Sequence, residues 1–250
     1  MEHVVQDGGS TDGTLDILNA AAVDWRSERD EGQSDALNRA FVRSSGAWIA
    51  WLNADEFYMP GGLRALLDVA NSCDADVVYG TIAHVDEEGR FNGLGAQHRF
   101  NKFALPRVAP FIASCAMLVR RDALPPHPWD VGLRMTMDWD LYLTLAASGA
   151  RFLHVPYPVA AFRSHPGQVT AGPGGPQVEI PQLLAKHSID RSRVDALAGL
   201  AVHHALWARE GRFGRRGPAR TLRGADMRWF REEVGDQAAK ELIKRCYAGS

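Results

Sequence analysis

The sequence predicts an α/β fold, and two observations carry the prediction. Short β-rich runs alternate with helix-like runs through the first two thirds of the chain, and one continuous apolar run of strand length, AWIAWL at 47–52, ends directly in acids. A chain of 250 residues, 46% hydrophobic and 23% charged, is also long enough to close one full core without disulfides.

Taken in order, HVVQ at 3–6 reads as a strand and DGGSTDGT at 7–14 as a loop. A helix follows over 14–22, with Asp12 or Thr11 placed to cap it and Leu15, Ile17 and Leu18 supplying apolar contacts. After a short connection, Ala36, Leu37, Ala40 and Phe41 share one helical face that Gly46 ends. AWIAWL suits a strand covered on both sides of a sheet, and a helix with Pro60 in its first turn runs on to about Ser72. DVVYGTIAHVD at 76–86 supplies one or two strands, with Glu88-Gly89 as a hairpin turn and IASCAMLV at 112–119 as a further apolar stretch. A helix over 137–149 stops at Gly149 and leads to two β-like runs, FLHV and VAAFR. The composition changes at 166, where PGQVTAGPGGPQ can continue neither element. Residues 1–165 are therefore expected to form one domain, and 166–250 a linker with helices at about 177–188, 191–210 and 225–247.

Composition excludes several classes of function. The net charge of −2 lacks the basic excess of a dedicated nucleic-acid binder. Cys73, Cys115 and Cys246 are odd in number and widely spaced, which argues against a disulfide framework or a zinc site and for a reducing compartment. No run approaches the roughly 20 apolar residues of a membrane span, and the first residues resemble no signal peptide.

The acids that follow AWIAWL, in Asn53-Ala54-Asp55-Glu56, stand where open α/β sheets collect ligands, and neighbouring carboxylates favour a hard divalent cation. A solvated loop fits the same residues. DGGSTDGT has glycines that let backbone approach a ligand, ahead of a helix N-terminus that favours anions, and it also fits an ordinary capped turn. Neither GxxxxGK[ST] nor GxGxxG is present. Asp138 and Asp140 open a helix, where an acid either caps the helix end or, aimed into a cleft, serves as a general base. His165 follows a strand-like run, as a surface residue or a metal ligand.

In their order and spacing, DGGSTDGT, SERDEGQSDALNRAF, AWIAWLNADEFYMPGGL and MDWDLYLTLAASGARFLHVPYPVAAFRSH resemble the family 2 glycosyltransferases of the GT-A fold, over about residues 3–165. The resemblance implies a mixed, mainly parallel sheet flanked by helices, and transfer of a sugar from a nucleotide-diphosphate donor to an acceptor hydroxyl with inversion. Carried onto this chain, it implies a donor pocket of Asp7, Gly8, Asp30, Gln33, Asn53 and Asp55. Asp55 and His165 would hold a Mg²⁺ or Mn²⁺ ion, and Asp138 would be the catalytic base. The acceptor would be a carbohydrate or a lipid-linked sugar in surface polysaccharide or glycolipid synthesis, and the location cytoplasmic, with peripheral contact at the inner face of the membrane. Arg212, Arg215, Arg216, Arg220 and Arg223, followed by Trp229 and Phe230, would serve that contact or form a solvated linker and a packed amphipathic helix.

The chain departs from the family pattern in several places. The family's aliphatic first strand is not found ahead of DGGSTDGT, so exposed sheet edges and poor solubility are expected, with an inactive relative or a non-catalytic sugar-nucleotide-binding module as the alternative function. Asn53 takes the first place of the DxD motif, Met137 the second place of the xED motif, and Gly8 a place where many relatives carry Asp, which leaves the donor base open.

Overall fold

The computed structural model describes residues 1–108, 110–169 and 175–210. The expected helix at 225–247, the arginine-rich stretch and Cys246 lie outside these residues.

Two sheets organise the chain. Strands β1 (Val4–Asp7) and β2 (Asp24–Ser27) form a parallel pair, connected by helix α1 (Thr14–Ala20). Helix α2 (Gln33–Arg43) follows and packs on β1. The second sheet has six strands: β3 (Trp48–Ile49), β4 (Phe57–Tyr58), β5 (Val77–Val85), β6 (Phe91–Leu94), β7 (Met117–Arg120) and β8 (Phe152–Arg163). Their order is β3-β7-β5-β8-β4, with β6 paired to the far half of β5. The longest pairing, β5 with β8, is parallel, and the other four pairings are short and antiparallel, so the sheet is mixed as expected but parallel chiefly along this one central pair.

Helix α3 (Gly62–Ser72) covers one face of this sheet and helix α4 (Met137–Ala147) the other. Strand β5 alternates between them: Val77 and Tyr79 join the α4 side, Val78 and Ile82 the α3 side. Being buried on both faces, it reads as a nearly unbroken apolar run. Helix α4 is apolar almost all round because β5, β7 and the side chains of Ala104, Leu105, Val108, Phe111 and Ile112 enclose it. Helices α5 (Ile180–Lys186) and α6 (Arg193–Glu210) follow, with Leu183 buried in the α4 core.

The hairpin turn forms at Gly89, with φ of 84°, and Gly149, with φ of 87°, lies just past the end of α4. Other expectations need correction. AWIAWL contributes only Trp48 and Ile49 to the ladder, because the chain leaves the sheet early and buries Trp51 edge-on against Trp129. Strand β2, DWRS, was not expected: it is half-exposed and polar, and its parallel pairing with β1 rather than its composition makes it a strand. Helix α1 buries no residue fully, and Ile17 points to solvent. Its N-cap is Gly13, although the Asp12 carboxylate does accept the Thr14 amide at 3.2 Å. FLHV and VAAFR are one strand rather than two. Helix α3 starts after Pro60, at Gly62, where the backbone meets β8 so closely that a Cβ would lie 2.1 Å from the Val159 carbonyl oxygen. Gly62→Ala is accordingly expected to lower stability by about 2–3 kcal/mol, read from the urea midpoint, despite the better helix propensity of alanine. An unchanged midpoint would show that the two backbones part easily.

Candidate active site

The end of β1 opens into the 7–14 loop, and Asp7 holds that loop in shape. Its Oδ2 accepts the amides of Gly9 and Ser10, each at 2.9 Å, and the Ser27 hydroxyl at 2.6 Å, while Oδ1 accepts the Ser10 hydroxyl. The Ser10 and Ser27 hydroxyls and these amides hold the carboxyl down at about 2. Gly8 lies against Asp30, where a Cβ would stand 2.9 Å from Oδ2, and Asp30 also accepts the Gly32 amide at 3.0 Å. A second group forms where α2 begins, as the Gln33 side-chain Nε2 donates to Asn53 Oδ1.

Asn53 and Glu56 close a tight turn after β3, with the Glu56 amide donating to the Asn53 carbonyl and the Asn53 amide to Glu56 Oε2, both at 3.1 Å. Asp55 projects from this turn. Its Oδ2 is 2.9 Å from Nε2 of His165, which arrives from the end of β8, and both side chains are about one third exposed. Arg163 fixes the backbone beneath, donating to the Asp55 carbonyl at 3.0 Å and to the Glu87 carbonyl at 2.6 Å. Gln168 braces the same strand end by donating to the Arg163 carbonyl at 2.6 Å.

Glu56 turns inward. Burial raises its carboxyl to about 7, aided by the charges of Asp55 and Asp138 and opposed by the Asn53 amide and the Cys115 thiol. Asp138, in the first turn of α4, accepts the Trp139 amide at 2.7 Å and is raised to about 6 by burial, with the Glu179 carboxylate adding to the shift. The charges of Asp55 and Asp138 both act on Glu56, which stands within electrostatic reach of the two.

Asp140 corrects an expectation. It does not simply support a helix end: its buried carboxylate takes the Lys186 ammonium at 2.9 Å and the His187 imidazole at 2.8 Å, tying α5 to α4. A cavity of about 720 Å³ between α2 and α4, lined by Asn38, Arg39, Trp129 and Thr144, lies on this Asp140 side and includes none of the expected site residues.

Of the expected residues, the structure joins Asp7, Gly8 and Asp30 in one cluster, Gln33 and Asn53 in another, and Asp55 with His165 in a third. Arg163, Gln168 and Glu179 were not foreseen. Arg163 and Gln168 flank His165 in sequence, so the contacts of that histidine were the signal available.

A glycosyl transferase family 2 model matches residues 1–125, half of the chain. The chain belongs to this family. A PGL/p-HBAD biosynthesis glycosyltransferase of Mycobacterium tuberculosis is 30% identical over 168 residues, 62% of either chain, so the chain spans less than two thirds of that relative. Among solved structures, S. aureus TarS 1-349 in complex with UDP-GlcNAc superposes with a TM-score of 0.59 at 14% identity, over 97% of this chain and 70% of that one. The mannosyltransferase PcManGT from Pyrobaculum calidifontis, in complex with GDP-Man and Mn²⁺, gives 0.51 at 16%, over 100% and 79%. These likenesses show that the chain has the GT-A glycosyltransferase fold. Among the described residues no helix is long and apolar enough to cross a membrane, and no group of three or more His, Cys, Asp or Glu residues could hold a metal.

Proposed function

We propose that the protein is a metal-dependent, inverting glycosyltransferase that moves a sugar from a nucleotide-diphospho-sugar to an acceptor hydroxyl, in polysaccharide or glycolipid synthesis. The observation that carries the reading is the meeting of Asp55 and His165, from segments more than a hundred residues apart, with the half-buried Asp138 within electrostatic reach of Glu56, the neighbour of Asp55. A carboxylate oxygen and an imidazole nitrogen, both partly exposed and facing each other, form a donor set that fits a divalent cation such as Mn²⁺. Asp55 and His165 would be the ligands that the chain supplies to such an ion. Such an ion, when bound, neutralises the charge that develops on the leaving nucleotide.

In this reading the residues of the chain divide the work. The loops of Asp7, Gly8 and Asp30 receive the nucleotide, and the Gln33–Asn53 pair borders it. The raised carboxyl of Asp138 is half ionised near pH 6, so at neutral pH it is poised to take the proton of the incoming hydroxyl. Residues 1–165 form the catalytic unit and 166–250 an extension. The acceptor is carbohydrate or lipid-linked, and the work is done in the cytoplasm, at the inner membrane face when the acceptor is a lipid. The relative in PGL/p-HBAD biosynthesis supports the pathway class, and the UDP-GlcNAc and GDP-Man complexes support the donor class. Titrating the protein with UDP-GlcNAc and GDP-mannose, with Mn²⁺ and then with EDTA, tests the reading: metal-dependent binding of one of them is expected, and binding of neither would overturn it.

A further inference from the structure

The carboxylate of Glu179 sits in a socket of three consecutive backbone amides. Arg134 donates to Oε1 at 2.9 Å, Met135 and Thr136 donate to Oε2 at 2.9 Å each, and the Thr136 hydroxyl adds a fourth bond to Oε2 at 3.0 Å. These donors form the loop that runs into α4. Thr136 is the N-cap of that helix and makes no side-chain cap bond of its own, so an acid 43 residues further along the chain organises the helix start. Glu179 is itself anchored. It directly precedes α5, which has a proline in its first turn and is held to α4 through Asp140 and by burial of Leu183.

We propose that Glu179 is the positioning residue of Asp138: seated in its socket, it fixes the direction of the first turn of α4, which carries Asp138, and holds a stationary negative charge against the loop that leads into it. This rests on the reading of Asp138 as the base. The charge is real at neutral pH: burial opposes it, but the amides of Met135 and Arg134 and the Thr136 hydroxyl hold Glu179 below the usual carboxylate range. Three titratable groups face Asp138. The Glu179 carboxylate favours its neutral form; Glu56, raised to about 7, is itself largely neutral where Asp138 titrates, and Tyr142, one turn along α4, is kept neutral by burial. Among the described residues Glu179 is therefore the charged acid that bears on the base, and it is held by four bonds to the loop that carries that base.

The test reads the ionisation of Asp138 directly. In the full chain labelled with carboxyl-¹³C aspartate, the Asp138 resonance is identified by its loss in Asp138→Asn. Its midpoint is expected at about 6 in the parent. It should move down by about half a pH unit or more in Glu179→Gln, and stay within about 0.2 unit of the parent in Glu179→Asp, which keeps the charge. A parent-like midpoint in Glu179→Gln overturns the proposal. In parallel, Mn²⁺-supported release of nucleotide from UDP-GlcNAc or GDP-mannose should show the acid limb of Glu179→Gln moved the same way. Its kcat should be about tenfold lower and its donor KM within about twofold of the parent. A purely structural cap would lower the melting temperature and leave the acid limb in place. If Glu179→Gln does not melt cooperatively, Glu179→Asp carries the test: a lower kcat with a retained midpoint is expected, and a parent-like kcat overturns the positioning role. Full turnover in Asp138→Asn would instead remove the base assignment, while the titration result stands on its own.

Discussion

Asp55→Ala is expected to abolish Mn²⁺-dependent donor binding and leave the fold intact. The substitution removes the carboxylate that faces His165 and spares the backbone carbonyl that Arg163 holds, so the turn after β3 keeps its anchor. With the cation gone, the charge of the donor diphosphate is left uncompensated, and donor affinity should fall by roughly 10²-fold. Calorimetric titration with the donor in Mn²⁺ and in EDTA measures it. The parent should lose affinity on adding EDTA and the variant should not respond, whereas equal affinity in all four conditions would remove Asp55 and His165 from the metal assignment. Circular dichroism and a cooperative melt supply the fold control.

The second large effect falls on Asp138. Asparagine keeps the size and the acceptor for the Trp139 amide but cannot take a proton, so donor affinity should survive while transfer falls by roughly 10²-fold or more. Asp140→Asn separates chemistry from scaffolding. It leaves the Lys186 and His187 contacts short of a buried negative charge, so it should lower the melting temperature and leave the pH profile of turnover unmoved. Kinetics at saturating donor decide the matter: if Asp140→Asn loses turnover and Asp138→Asn does not, the base is Asp140 and its bridge to α5 is secondary.

The difference between these two acids shows what the sequence could and could not supply. Both stand in the first turn of one helix, and local pattern assigns both a place at the helix N-terminus. Only the tertiary position of Lys186 and His187, from beyond the Gly/Pro-rich stretch, makes Asp140 a structural tie, and periodicity carries no information about such distant partners. The long elements were legible because their burial is periodic or complete: α2 through Leu37 and Phe41, β5 through its unbroken apolar run, α4 through its enclosed surface. Strand β2 and the short β3 were not, since the ladder and not the side chains defines them. At the site, Asp55 and His165 were legible through a resemblance of ordered blocks. Arg163 and Glu179 were not, because each acts on backbone groups that no residue pattern displays.

The division of the strands into two sheets bears on how the molecule breathes. Among the described residues, no ladder connects β1–β2 to the six-stranded sheet; the link runs through α2 and side-chain bonds such as Gln33 to Asn53 and Arg43 to the Val5 carbonyl. A two-stranded ladder is marginal by itself, so its amide protons should exchange through sub-global opening well before those of β5, which is paired on both sides. A nucleotide-sugar resting on the Asp7 loop at one end and the Asp55 turn at the other would span both parts. Slowed exchange across Val4–Asp7 and Asp24–Ser27, with β5 unchanged, would then register donor occupancy without any turnover at all.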